Sequence, residues 1–280
     1  MFWQTTRFQI ALDRPQVMGI VNVTPDSFSD GGSHGSERAA LAHCERLLAQ
    51  GADILDIGGE STRPGSSPPS LEEELARVVP VVRQAVRLGV PVSVDTSRPE
   101  VMDAVLSLDA DIINDVRALQ WPGALERVAA HASVGLCLMH MQGQPATMQK
   151  APAYTDVVAE VRGFLAGRLQ AVRAAGIVDA RITLDPGYGF GKSLEHNLAL
   201  WQGQSALCEL GPPLLVGWSR KGTLGQLTGR AVGERLVPSV AAALASIARG
   251  ARIVRVHDVA ATVDALKVWC AAGLGDPMAR

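Results

Sequence analysis

The chain has 280 residues, 47% of them hydrophobic but only 4% aromatic, and a formal net charge of −2. A core of that composition must come from Val, Leu, Ile and Ala, which suits strands buried on both faces of a parallel sheet. Near-neutral charge excludes a strong field for nucleic acid or an anionic membrane, so any cations that matter must be local.

Residues 2–12 are expected to form a small hairpin or cap over a barrel bottom, within an N-terminal segment 1–14. A first strand at 17–23 precedes a helix at 37–50 that stops at Gly51, a typical helix-ending glycine. A strand at 54–57 follows, then a helix from Ser70 to Leu88, opened by a capping box with Glu73. Next come a strand at 90–94 and a short helix whose first turn holds Pro99. A strand at 111–113, a helix near 123–131 and a strand at 134–140 complete the middle of the chain, and 142–153 reads as a polar loop. A long helix at 156–175 ends at Gly176, and a strand at 181–184 leads to a helix at 194–207. A strand at 214–218, a loop and an Ala-rich helix at 237–251 come next, then a strand at 252–256 and a last helix at 259–272.

Eight strands alternating with eight helices, at roughly 30–40 residues per unit, predict an α/β fold, a single (β/α)8 TIM barrel over 1–280. Such barrels commonly use about 250 residues as one domain. The N-terminus lacks a basic start and apolar run, so no signal peptide is expected. No stretch reaches the ~18 apolar residues of a membrane span. Cys44, Cys137, Cys208 and Cys270 lie far apart without a C-x-x-C, so free buried thiols in a reducing cytoplasm are expected.

Seven of the eight predicted strands carry a polar signature at the end: Asn22, Gly58–Gly65, Asp95, Asn114 with Asp115, Asp185–Lys192, Ser219–Lys221, and Arg255 with His257. Groups at the C-terminal ends of barrel strands share one face, and that face is where such barrels keep their active sites. In the first loop Asn22, Asp26 and Asp30 supply oxygen ligands beside Gly31 and Gly32. Mg2+ takes one or two such groups together with substrate phosphates, although an ordinary Asp/Ser turn would look the same in isolation. In the second loop Ser61, Thr62 and Arg63 can donate to phosphate oxygens, or serve a structural turn. Asp95, Asn114 and Asp185 would be costly to bury unpaired. A 2-amino-4-oxo-pyrimidine edge would satisfy them, because one carboxylate can accept from both its ring N–H and its amine. Internal Lys or Arg partners are the alternative. Lys221 could hydrogen-bond a carbonyl, form a Schiff base or make an ion pair. Arg255 and His257 alternate on one strand and face one side, so with Asn22 they would make an anion site. Met139 suits packing on a flat ligand. His34, His43, His131 and His196 show no partner pattern and are expected on the surface or in loops.

Taken together, these residues resemble the dihydropteroate synthase family. The motifs are Gly19-Ile20-Val21-Asn22-Val23-Thr24-Pro25-Asp26-Ser27-Phe28-Ser29-Asp30-Gly31-Gly32, then Asp56-Ile57-Gly58-Gly59-Glu60-Ser61-Thr62-Arg63-Pro64-Gly65, Asp185-Pro186-Gly187-Tyr188-Gly189-Phe190-Gly191-Lys192, Ser219-Arg220-Lys221 and Ile253-Val254-Arg255-Val256-His257-Asp258-Val259. They run in order over nearly the whole chain. The resemblance implies a transferase of folate biosynthesis. It would join 6-hydroxymethyl-7,8-dihydropterin pyrophosphate to 4-aminobenzoate with Mg2+ assisting, as a cytoplasmic homodimer packed through its late helices, with no nucleic-acid or membrane partner.

The resemblance also implies that Asp95, Asn114, Asp185 and Lys221 hold the pterin against Met139. Asn22, Ser61, Thr62, Arg63, Arg255 and His257 would hold pyrophosphate, with Asn22, Asp26 and Asp30 as the candidate metal ligands. Phe28, Thr62, Pro64, Phe190, Lys221 and Gly222 would frame the aminobenzoate, where sulfonamides compete. Asn22, Arg63, Asp95, Asp185, Lys221, Arg255 and His257 are the expected catalytic set. Two positions depart from the family pattern: Gly222, where a bulkier or hydroxyl side chain is common, and Pro238-Ser239, where a glycine is common. The rival readings are a folate-dependent methyltransferase pterin domain, a non-catalytic pterin-binding paralogue and a lysine-dependent aldolase.

Overall fold

The computed structural model describes residues 1–24, 32–61 and 66–274. The expected site residues Asp26, Phe28, Asp30, Thr62, Arg63 and Pro64 lie outside them. Strands β1 (Phe2–Gln4) and β2 (Gln9–Ala11) pair antiparallel. Eight parallel strands then close a barrel in the order β10-β3-β4-β5-β6-β7-β8-β9. They are β3 (Gln16–Asn22), β4 (Ile54–Gly58), β5 (Val92–Asp95), β6 (Ile112–Asp115), β7 (Gly135–Met139), β8 (Ile182–Asp185), β9 (Leu214–Val216) and β10 (Ala251–Val256). The helices are α1 (Gly32–Ala49), α2 (Leu71–Ala85), α3 (Pro99–Leu106), α4 (Ala124–Ala130), α5 (Val157–Ala174), α6 (Leu194–Gln202), α7 (Ser205–Cys208), α8 (Gly222–Thr228), α9 (Leu236–Ile247) and α10 (Val259–Ala271).

Strand alternation sorts the interior. Val17, Val21, Leu55, Ile57, Val94, Ile113, Leu138 and Leu184 point outward and join the buried layer under the helices. The residues between them point inward. At the bottom, Met18, Ile54, Ile112, Cys137, Leu215 and Ile253 form one cluster with Trp3, Ile10 and Leu12 of the hairpin segment. The Trp3 indole donates to Arg181 O at 3.0 Å, so the hairpin closes the apolar end of the barrel. Polar groups are thereby left to the other end.

The capping box forms as expected: Glu73 N donates to Ser70 Oγ at 3.1 Å and Ser70 N donates to the Glu73 carboxylate at 2.8 Å. Several expectations need correction. Helix α1 starts five positions earlier than residue 37. Helix α2 ends at Ala85 and continues only as a 3-10 turn, Val86–Leu88. The helix expected at 194–207 breaks into α6 and α7 at Gly203, which caps α6 in a non-helical conformation and packs on Val158, where a Cβ would lie 2.8 Å from its Cγ2. The expected loop after β9 contains α8, and the Ala-rich helix ends at Ile247 since Ala251 already belongs to β10. Of the four thiols, Cys44 and Cys137 are buried as expected, but Cys208 is half-buried and Cys270 exposed. His43 and His196 sit on α1 and α6; the His43 ring lies 3.3 Å from Ile20 O, and His196 completes the cap at Ser193.

Candidate active site

Strand register sets the polar groups in two inward tiers. Asn22 pairs with Gly58, Gly58 with Asp95, Asp95 with Asn114, and Met139 with Asp185. One tier lower, Ile20 pairs with Asp56. The strands extend far enough to include Asp95, Asn114 and Asp185, so these side chains stand on rigid elements rather than on loops.

A cavity of about 910 Å³ opens at this end, within the usual range for a small-molecule site. It is lined by Asn22, Ser61, Asp95, Asn114, Met139, Asp185, Phe190, Lys221, Arg255 and His257. Every expected site residue among the described ones therefore faces the same space.

Arg255 lies between two carboxylates. Its Nε donates to Asp56 Oδ2 at 2.6 Å and its Nη2 to Asp95 Oδ2 at 3.1 Å. Asp56 is fully buried and also accepts from Asn114 Nδ2 at 3.3 Å. Asp95 thus has an internal cation partner, which binds its Oδ2. Burial pushes Asp95 up to about 8, with Arg255 pulling the other way and Asp56 and Glu60 reinforcing the rise. Burial would lower Arg255, but Asp56 and Asp95 outweigh it and hold the guanidinium above its ordinary value.

Across the cavity, Asp185 Oδ1 accepts from Gly187 N at 2.7 Å. Burial raises its pKa, opposed by Lys221, by the Gly187 hydrogen bond and by Lys192. Lys221 donates from Nζ to Tyr188 O, and Nζ stands 4.4 Å from the centre of the Phe190 ring. Burial brings Lys221 down to about 8, with Asp185 opposing. A buried amine with carboxylates nearby is the chemistry of a hydrogen-bond donor poised between charge states.

The segment carrying Lys221 is over-determined. Arg220 adopts φ 60°, a left-handed conformation rare outside glycine. Its N–H donates to Ser239 Oγ at 2.9 Å, its carbonyl accepts from Arg235 Nη1 at 3.0 Å, and its guanidinium grips both oxygens of Asp258. These bonds supply what a sparsely populated backbone needs to persist. The family-atypical Ser239 is one of the anchors. Gly222 has open space around it: a Cβ there would meet nothing within 4 Å, so a larger side chain could be carried. Ser219 Oγ accepts from His257 N at 3.1 Å and lies 3.0 Å from His257 Nδ1, which fixes the imidazole at the rim.

Three features were missed in the sequence. Asp56 shares the Ile54–Asp56–Gly58 alternation, and that period of two was the available signal. Glu60 lines the cavity with Arg117 Nη2 3.8 Å away. Lys192, buried at 2% exposure, meets His140 across 52 positions of sequence, and no local pattern announces the pair.

Comparison with known proteins gives a consistent result. A family profile described as pterin binding enzyme matches residues 18–257. A dihydropteroate synthase of Neisseria meningitidis serogroup B is 58% identical over 278 residues, 97% of this chain and 98% of that one. The structure of a Xanthomonas albilineans dihydropteroate synthase with 4-aminobenzoic acid superposes with TM-score 0.89 at 55% identity, covering 95% of each chain. That of a Burkholderia cenocepacia dihydropteroate synthase complexed with 7,8-dihydropteroate superposes with TM-score 0.88 at 49% identity, covering 97% of this chain and 96% of that one.

Proposed function

The chain belongs to the dihydropteroate synthase family of pterin-binding enzymes, and from that membership we propose that its cavity divides one reaction between a deep heterocycle site and a diphosphate site at the rim. The reaction is the condensation of 6-hydroxymethyl-7,8-dihydropterin pyrophosphate with 4-aminobenzoate to 7,8-dihydropteroate and pyrophosphate. The observation that carries the division is that Asp185 and Lys221 open into the same cavity as Asn22 and His257.

At depth, Asp95 and Asp185 accept from the pterin ring N–H and exocyclic amine, Asn114 completes the edge, and Lys221 donates to the ring carbonyl. Met139, beside Asp185 in register, packs on the ring face. At the rim, Asn22, Ser61, Arg255 and His257, with Thr62 and Arg63, hold the diphosphate. Phe190 and Lys221, with Phe28, Thr62 and Pro64, frame the arylamine.

The bond between the pterin methylene carbon and the diphosphate oxygen breaks, and its electron pair leaves on the diphosphate. The positive charge left on carbon spreads over the dihydropterin ring, near Asp95 and Asp185. The arylamine nitrogen then forms the C–N bond and releases a proton to water. No enzyme nucleophile is needed. Electrostatic stabilisation is the main contribution and positioning the second. Removing one charged contact to the leaving group should cost about 2–4 kcal/mol of transition-state stabilisation.

Mg2+ fits the donors present. Asn22 is a neutral oxygen donor on the cavity wall, and Mg2+ takes one or two protein groups with waters and phosphate oxygens. When bound, the ion neutralises charge on the leaving diphosphate.

A homodimer is supported by exposed apolar residues on neighbouring late helices, with Val237 on α9 at 74% and Val268 on α10 at 70% exposure. Residues 1–280 are read as a single domain. No described helix is long and apolar enough to cross a membrane. The direct test is pyrophosphate release from the dihydropterin substrate. Sustained release over many turnovers should require 4-aminobenzoate and Mg2+ together; a protein that binds the pterin but releases nothing would support the non-catalytic alternative. Borohydride should trap no adduct at Lys221, whereas a trapped imine with a carbonyl substrate would support the aldolase reading.

A further inference from the structure

We propose that Lys192, held by His140, is a positioning residue that fixes the segment after β8 in the shape that receives the arylamine. The inference rests on the assignment of the cavity above. Lys192 Nζ donates to Gly187 O at 2.9 Å and to Phe190 O at 3.1 Å, and it lies 2.9 Å from His140 Nδ1. Burial and the nearby Lys221 charge lower Lys192 well below its ordinary value, with Asp185 opposing, and the three acceptors around its nitrogen match the three donors of an ammonium group, which accepts nothing. His140 Nδ1 is then an acceptor, and its ring proton sits on Nε2. Burial and the adjacent Lys192 charge bring His140 down to about 3, so its ring is neutral.

A buried ammonium is costly unless fully hydrogen-bonded, and an apolar side chain would fill the same space at lower cost. What the ammonium does here is bind loop carbonyls. Lys221 donates to Tyr188 O, so two lysines that both line the cavity bind the carbonyls of residues 187, 188 and 190. Between those carbonyls the chain carries Phe190, whose ring lies beneath Lys221 Nζ and lines the cavity. Gly187 makes the approach possible: at φ 68° its backbone passes so close to His140 that a Cβ would lie 1.8 Å from His140 O. Asn197 on α6 supports the segment from outside, accepting from Gly189 N at 2.7 Å and donating to Lys192 O at 3.2 Å. Gln149 Nε2 donates to Gly189 O at 2.7 Å and Tyr154 Oη to Gly191 O at 2.9 Å, whereas the carbonyls of Gly187 and Phe190 take their side-chain hydrogen bonds from Lys192. The Asp185 backbone is set by the pairing of β8 with β7, and its side chain meets this turn through one bond, from Gly187 N to Oδ1.

Steady-state kinetics on the full chain with both substrates and Mg2+ test this. Lys192→Met removes the ammonium and keeps the length. It should raise KM for 4-aminobenzoate by about tenfold or more, the scale of a lost charged hydrogen bond, and move KM for the dihydropterin substrate by less than about threefold. His140→Leu should shift the same constant in the same direction. His140→Asn, whose amide oxygen can accept near the Nδ1 position, should return it to within about twofold of wild type, as restoration of one hydrogen bond implies. Equal changes in both KM values, or His140→Asn behaving like His140→Leu, would overturn the proposal. If Lys192→Met does not fold, the His140 pair decides. A wild-type chain that releases no pyrophosphate would overturn the functional assignment instead, before any variant is compared.

Discussion

Replacing Arg255 by methionine should destabilise the protein as well as impair it. The guanidinium bridges Asp56 at 2.6 Å and Asp95 at 3.1 Å. Without it, fully buried Asp56 keeps one side-chain donor, Asn114 Nδ2, at 3.3 Å. Breaking a buried ion pair from one side costs about 3–5 kcal/mol, a large share of the roughly 5–15 kcal/mol that holds a domain folded. The cost must depend on pH with a definite sign. Asp95 is already raised from 3.8 to about 8 by burial, and losing its cation can only raise it further. Between the ordinary and raised values the folded state holds a proton that the unfolded chain does not. Stability therefore increases as pH falls through the folded-state value. Urea unfolding of Arg255→Met at pH 8.5 and pH 5.5 should show the larger deficit at pH 8.5. Adding Asp95→Asn should recover about 1–3 kcal/mol at the higher pH, since neighbouring sites couple on that scale. A deficit below about 1 kcal/mol, equal at both pH values, would refute the bridging role.

Further outcomes follow from the same geometry. In the free enzyme Asp95 and Lys221 both stand near pH 8, so kcat/KM for the dihydropterin substrate should trace a narrow bell. It should rise as Asp95 ionises and fall as Lys221 loses its proton; Asp95→Asn should lose the ascending limb and Lys221→Gln the descending one, and a descending limb near the ordinary lysine value would contradict this. Gly187→Ala forces a side chain onto His140 O at φ 68° and should cost on the order of 2 kcal/mol or more in urea unfolding with an unchanged slope. Val237→Glu combined with Val268→Glu should convert a dimer to a monomer in sedimentation equilibrium; an unchanged dimer would place the interface elsewhere.

The barrel was legible because its signals are local. Apolar runs bounded by glycine and the Ser70–Glu73 cap each act within a few residues. The errors arose where tertiary packing overrides such signals. Helix α8 runs Gly-Thr-Leu-Gly-Gln-Leu-Thr, poor in helix formers, and the Arg235 guanidinium packs over Gly225, where a Cβ would lie 2.2 Å from Nη2. The site was legible as a set of strand-end residues, since parallel strands bring their C-terminal ends to one face. Its pairings were not. Arg255 reaches Asp56 across 199 positions and Lys192 reaches His140 across 52, and only barrel closure determines such distances.

The division of the cavity is tested most directly by calorimetry, comparing binding of 6-hydroxymethyl-7,8-dihydropterin with binding of its pyrophosphate in wild type, Asp185→Asn and His257→Ala. Asp185→Asn should lose both ligands, while His257→Ala should keep the alcohol and lose only the affinity added by the diphosphate. Equal losses of both ligands in both variants would contradict a deep heterocycle site with a separate diphosphate rim.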